Sequence, residues 1–163
     1  MKKLLVLLVM LITTISISAQ ESSESQKIDS LQYQLKRLQH NYDYLDCEYK
    51  LSKLMLELNI YTNELKISVN SLSMSFYQGG YNDNLYQANK RIYEVTKDNL
   101  NKKEQLIYWT ILNVKQKMES VDFHETEISV LKSSFDAIDS GLHSAKTALE
   151  YYKGVLDAYR DYR

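Results

Sequence analysis

Apolar residues recur along most of this chain at alternating steps of three and four, the period of a helix that buries one stripe. The C-terminal third shows it most cleanly: Ile128, Leu131, Phe135, Ile138, Leu142, Ala145, Leu149, Tyr152, Leu156 and Tyr159. Asp122 followed by Glu125 reads as a capping pair at the start of this helix. Beside its seam runs a ridge of small residues, Ser134, Ala137, Gly141, Ala145 and Ala148, where a neighbouring helix can approach closely. On that reading Gly141 is a packing device rather than a hinge.

A second helix is predicted over about residues 83–119. It begins behind "QGGYNDN", where Gly79–Gly80 supplies a turn and Asn82 or Asp83 a cap. Its seam includes Tyr86, Tyr93, Leu100, Ile107, Ile111, Val114 and Met118. The middle, "TKDNLNKKEQ", is polar apart from Leu100 and predicts a weak point or kink.

The first helix, about residues 24–76, carries two seams. Ile28, Leu31, Leu35, Leu38, Tyr42 and Leu45 form one. Tyr44, Cys47, Leu51, Leu54, Leu58, Tyr61, Leu65 and Leu72 form the other, with Ser68 filling the gap. The two are displaced by two residues, which rotates the apolar face by roughly 200° at 3.6 residues per turn. The face therefore changes sides within "NYDYLDCEYK", residues 41–50.

Equal rise per residue then fixes the architecture. A second helix folding back at the glycines and ending near residue 119 reaches the level of about residue 41. The third helix returns from there to the level of the glycine turn. The expected fold is all-α, a long-helix antiparallel three-helix bundle of coiled-coil type with an N-terminal helical arm. The alternative is an arm that breaks near Asn41 and folds back as a fourth helix.

Composition agrees. The chain of 163 residues has no proline, four glycines and many helix formers. Residues 1–19 have the layout of a secretory signal peptide: Lys2 and Lys3, an apolar run from Leu4 to Ile12, then the small-residue stretch "SISA". That run is too short for a membrane span. The expected division is a signal peptide at 1–19, a helical arm at 20–40 and a bundle domain at 41–163, with a periplasmic or extracellular destination. Removing 1–19 takes away two of 20 basic side chains, leaving 18 against 21 acidic ones, net −3. The charges are interspersed, with no basic stripe for nucleic acid and no polybasic patch for a membrane.

Candidate chemistry is sparse. Cys47 is the only cysteine, so no intramolecular disulfide can form. As a lone thiol on the bundle-side seam it reads as a buried, inert residue, with an intermolecular disulfide as the alternative. The segment "DFHETE" groups His124 with Asp122, Glu125 and Glu127, but acidic residues at a helix start are accounted for by capping and the helix dipole. No metal, cofactor or catalytic constellation is expected. Tyr77, Tyr81, Tyr151 and Tyr162 lie off the seams near the glycine-turn end and form a possible aromatic patch for a protein or glycan.

Two apolar surfaces lack an intramolecular use. One is the arm seam of Ile28, Leu31, Leu35 and Leu38. The other lies in "LIYWTILNV", where helical geometry places Tyr108, Trp109 and Leu112 about 80–180° from the seam of Ile107, Ile111 and Val114. A patch containing the only Trp and a Tyr within a polar rim has the composition of an interface hot spot. The expectation is an exported, non-enzymatic interaction or structural protein that assembles with itself or an envelope protein. A helical module binding a small apolar or glycan ligand is the alternative.

Overall fold

The computed structural model describes residues 24–161; residues 1–19, expected from the sequence to be a signal peptide, and Tyr162 lie outside them. Among the described residues three helices follow one another: α1 (Glu24–Gly79), α2 (Asp83–Ser120) and α3 (Glu125–Asp161). Together they form an all-α three-helix bundle. The chain divides into two compact units at Gln39/His40. In the first, the described residues continue α1 as helix; the second, from His40 onward, holds the bundle core. No break occurs near Asn41, and α1 is continuous through that position.

The helix ends follow from local chemistry. α1 stops where Gly80 adopts φ 66°, the left-handed conformation that costs glycine little and other residues more. Asn82 caps α2, its side-chain oxygen accepting from the Leu85 amide at 3.1 Å. At α3 the expected Asp122/Glu125 pair is replaced by another. His124 stands at the cap, its carbonyl accepting from Ile128 N at 3.0 Å. The Glu127 carboxylate reaches back to the His124 amide at 2.8 Å. This is one half of a capping box, shifted two residues along from the predicted one.

The core is built on α1. Leu51, Leu58, Leu65 and Leu72, seven residues apart, are at most 2% exposed. Seven-residue spacing is the repeat of helices that pack in coiled-coil fashion. In the first cluster Cys47, Leu51, Leu54 and Leu58 meet Ile107 and Val114 of α2, Leu131 and Ile138 of α3, and Phe123 from the connection. In the second, Tyr61, Leu65, Val69 and Leu72 meet Leu100, Ala145, Leu149, Tyr152 and Leu156. Burial of each leucine contributes about 2 kcal/mol. Val69 rather than Ser68 fills the place between Leu65 and Leu72; Val69 is buried and Ser68 only half so. The small ridge is used unevenly. Ala145 is fully buried, and Gly141 lies so close to α1 that a Cβ there would meet Leu58 Cδ1 at 3.5 Å.

Polar bonds set the levels of the helices. Lys117 donates to Asp43 at 2.6 Å, matching the equal-rise count. Tyr159, at the end of α3, donates to the Gly80 carbonyl at 3.0 Å and accepts from Asn82 N at 2.8 Å. The polar stretch in α2 is helical throughout rather than interrupted. Leu100 anchors it in the core. Around it Tyr61 donates to the Thr96 carbonyl at 2.6 Å, Lys103 pairs with Glu57 and Lys146 with Glu104.

Two predictions follow from this packing. Gly141→Ala should raise stability by about 0.5–1 kcal/mol, because 3.5 Å is ordinary contact and a helix-interior glycine is entropically costly. Gly141→Leu should lower it by about 1–3 kcal/mol through overpacking against Leu58. Denaturant titration of both variants reads the sign change.

The second prediction concerns alkaline pH. Burial pushes the Tyr61 phenol up to about 12, against about 10 in an unfolded chain. Between those values the unfolded chain has released its proton while the folded one retains it. Stability is thus fully present below about pH 10 and falls as pH rises toward 12. Tyr61→Phe should cost about 1 kcal/mol at pH 8 by losing the bond to Thr96. It should also show a shallower loss between pH 9.5 and 11.5 in denaturant midpoints. Tyr152, also raised by burial, keeps part of that slope in the variant.

Candidate functional site

The structure distributes the sequence-selected residues over separate places. In the first unit Ile28 and Leu35 are 54% and 48% exposed, and Leu31 and Leu38 are half-buried. On α2, Tyr108 and Trp109 are 63% and 59% exposed and pack edge to face with centroids 5.5 Å apart. Leu106 beside them is exposed as well, whereas Leu112 is half-buried.

The four tyrosines do not form one described patch. Tyr81 stacks near Tyr159 and Tyr86, and its hydroxyl donates to Asp83 at 2.8 Å. Phe76 meets both Tyr159 and Tyr77, so Tyr77 belongs to the same aromatic end while remaining exposed. Tyr151 instead borders an open groove between α1 and α3, with Lys66, Val69, Asn70, His143 and Thr147. Tyr162 is outside the described residues.

Cys47 is 1% exposed, inside the first core cluster. Burial pushes its thiol up, away from the thiolate that exchange chemistry and metal binding need. An intermolecular disulfide would require the core layer around Leu51 to open.

The convergence that sequence reasoning missed lies at "DFHETE". His40, from the bundle end of α1, approaches Glu127 of α3, with Nε2 at 2.9 Å from Oε2 and 3.2 Å from Oε1. His124 stands beside them, its ring centroid 5.2 Å from that of His40. One ligand-type atom from each of His40, His124 and Glu127 lies within 4.8 Å of the other two. Phe123, buried, closes one side edge-on to His40 at 5.5 Å, and Tyr44 packs against Phe123 at 6.2 Å. The Tyr44 phenol is pushed up by burial first, then by the negative charges of Glu48 and Glu127. Glu127 is held twice, by His40 and by the His124 amide, so its carboxylate is oriented before any ligand arrives. Of the sequence grouping of His124 with Asp122, Glu125 and Glu127, only Glu127 converges with His124, and His40 completes the cluster. A signal was present in the sequence: the count that sets residue 119 level with residue 41 also brings His124 near His40.

Among the described residues, no helix is long and apolar enough to cross a membrane. Comparison with protein-family models, curated proteins and solved structures yields no match to this chain.

Trp109→Ala should lower stability by less than about 1 kcal/mol, against about 3–5 kcal/mol for a buried tryptophan. Thermal melting of the variant checks it. A large drop would place the indole in a packed environment rather than on the surface.

Proposed function

We propose that this chain is an exported, non-enzymatic helical protein that assembles with a second copy of itself through the apolar seam at the start of α1. The single observation that carries this reading is the exposure of Ile28 and Leu35 on a stripe spaced as a coiled coil requires. Tyr42 and Leu45 continue the same spacing and are also exposed. The positions flanking the stripe favour an identical partner. With Ile28 and Leu35 as first core positions of each heptad, the flanks include Gln32, Gln34, Gln39 and Asn41. These are neutral amides, so two copies meet without like-charge repulsion. The signal-like pattern of residues 1–19 supports export, and the absence of a nucleophile–base pair in the sequence motifs supports a non-enzymatic role.

The energetics suit a reversible assembly. Burying the exposed parts of eight apolar side chains, four from each copy, contributes on the order of 8–12 kcal/mol. Association costs of about 4–15 kcal/mol oppose it. A concentration-dependent dimer is therefore expected rather than an obligate one. Light scattering across a concentration series provides the test. The parent should shift from monomer toward dimer as concentration rises, and the double variant Leu31→Asp, Leu35→Asp should remain monomeric with an unchanged bundle melting temperature. A parent that is monomeric throughout the series, or a double variant that still assembles, would refute the reading.

The ligand-binding alternative has its support in the groove bordered by Lys66, His143 and Tyr151, which is open to solvent. The core clusters beneath are filled by leucine and tyrosine side chains, and the exposed apolar surface outside them favours assembly.

A further inference from the structure

We propose that His40, His124 and Glu127 form a binding site for a divalent cation of the zinc class. The donor set is two imidazole nitrogens and one carboxylate oxygen, a combination used by zinc sites with one position left for water. Hard cations such as Mg²⁺ and Ca²⁺ prefer all-oxygen sites and fit it poorly.

The geometry is close to what a cation would need. Bonds of about 2.0–2.1 Å in a tetrahedral arrangement put neighbouring donor atoms about 3.4 Å apart. The His40–Glu127 pair already stands at 2.9–3.2 Å, and all three donors fall within 4.8 Å. The widest separation therefore has to close by about 1.4 Å or less. His124 is the exposed member and Glu127 and His40 are half-buried, so the adjusting group is the one at the surface. A rotation of its side chain, with the backbone fixed as the α3 cap, brings its ring nitrogen inward.

Two features separate this cluster from an ordinary ion pair. A hydrogen-bonded His40–Glu127 pair uses one imidazole and leaves His124 without a polar function for its ring in that contact. The three donors also come from both sides of the bundle end: α1, the connection, and the first turn of α3. Two of them are anchored, His40 by Phe123 and Glu127 by the His124 amide. On binding, the cation takes the place of the proton shared between His40 Nε2 and Glu127. That proton leaves to solvent, or the neutral ring carries its proton on Nδ1. A water molecule completes the coordination from the solvent side.

Calorimetric titration of the purified protein, freed of any polyhistidine tag, with zinc chloride in a non-coordinating buffer tests the site. One ion per chain with a dissociation constant on the order of micromolar is expected. His124→Ala should weaken it at least tenfold, with the apo melting temperature little changed because the ring lies outside the core. His143→Ala, which removes the remaining histidine elsewhere on the bundle, should leave binding as in the parent. Zinc should also raise the melting temperature of the parent by more than that of His124→Ala at the same concentration. Absence of saturable binding, a loss under tenfold in His124→Ala, or an equal loss in His143→Ala would each overturn the assignment. None of these readouts depends on the assembly state, so the site and the proposed assembly fail separately.

Discussion

The run of leucines at 51, 58, 65 and 72 is the element on which the remainder of the bundle depends. These four side chains stay at most 2% exposed along six turns of α1. Holding them out of water requires two partner helices at the same levels throughout. α2 answers with Leu100, Ile107 and Val114 alone as fully buried residues, whereas α3 supplies seven. α3 is thus the main lid on the leucine stripe. α2 closes the remaining side with a thinner apolar edge supplemented by tyrosines and inter-helix polar bonds. That division accounts for the apolar, exposed outer face at Leu106, Tyr108 and Trp109: the core consumes one narrow edge of α2.

A stripe repeating every seven residues tolerates a slip of one whole heptad, so apolar packing alone does not fix the levels. Polar contacts at the bundle ends remove that ambiguity. Tyr159 bonds to both Gly80 and Asn82 at the glycine turn, and Lys117 to Asp43 at the opposite end. Lys117 also contacts Asp46; burial raises the Asp46 carboxyl, but its hydrogen bond to Lys50 and the charges of Lys50 and then Lys117 hold it below its ordinary range. Each such pair is worth little as a source of net stability. A slipped register would instead leave half-buried charges unpaired, which costs considerably more. Their physical role is to select one register.

The architecture was legible because the chain contains few competing signals. With no proline and one glycine pair, helix starts could be placed near 83 and 122, and the equal-rise count gave the levels of all three helices. Places that depend on a single side-chain direction were less legible. Ser68 and Val69 are neighbours, and only the packed structure shows that a step of four, then three, lets valine reach the core between Leu65 and Leu72. The cap of α3 moved from Asp122 to His124 because Phe123 is drawn inward as a core plug. The connection makes a tight turn there, Phe123 N donating to the Val121 carbonyl at 2.9 Å, and His124 is left as the first residue able to start the helix. The polar centre of α2 suggested a kink because the sequence shows the polar residues and not the Glu57, Tyr61 and Lys146 groups that receive them.

The same plug explains why the candidate site was invisible to motif reading. Ligand sets within one helix announce themselves by spacing of three or four residues; His124 has no second histidine at that spacing, and Glu127, three residues on, reads as a capping residue. Here the complement to His124 is 84 positions upstream in the sequence, and it becomes a neighbour only when two independent facts hold. α1 must keep its helical path through residues 41–50, so that His40 occurs one turn before Tyr44 on the face turned toward α3. Phe123 must also be buried, which brings its chain neighbour His124 against that turn. The change of apolar face in "NYDYLDCEYK" is therefore more than a boundary between seams. It is the point at which α1 stops presenting apolar residues to its bundle partners and presents Asp43 and His40 instead, and polar groups of α2 and α3 meet both of them there.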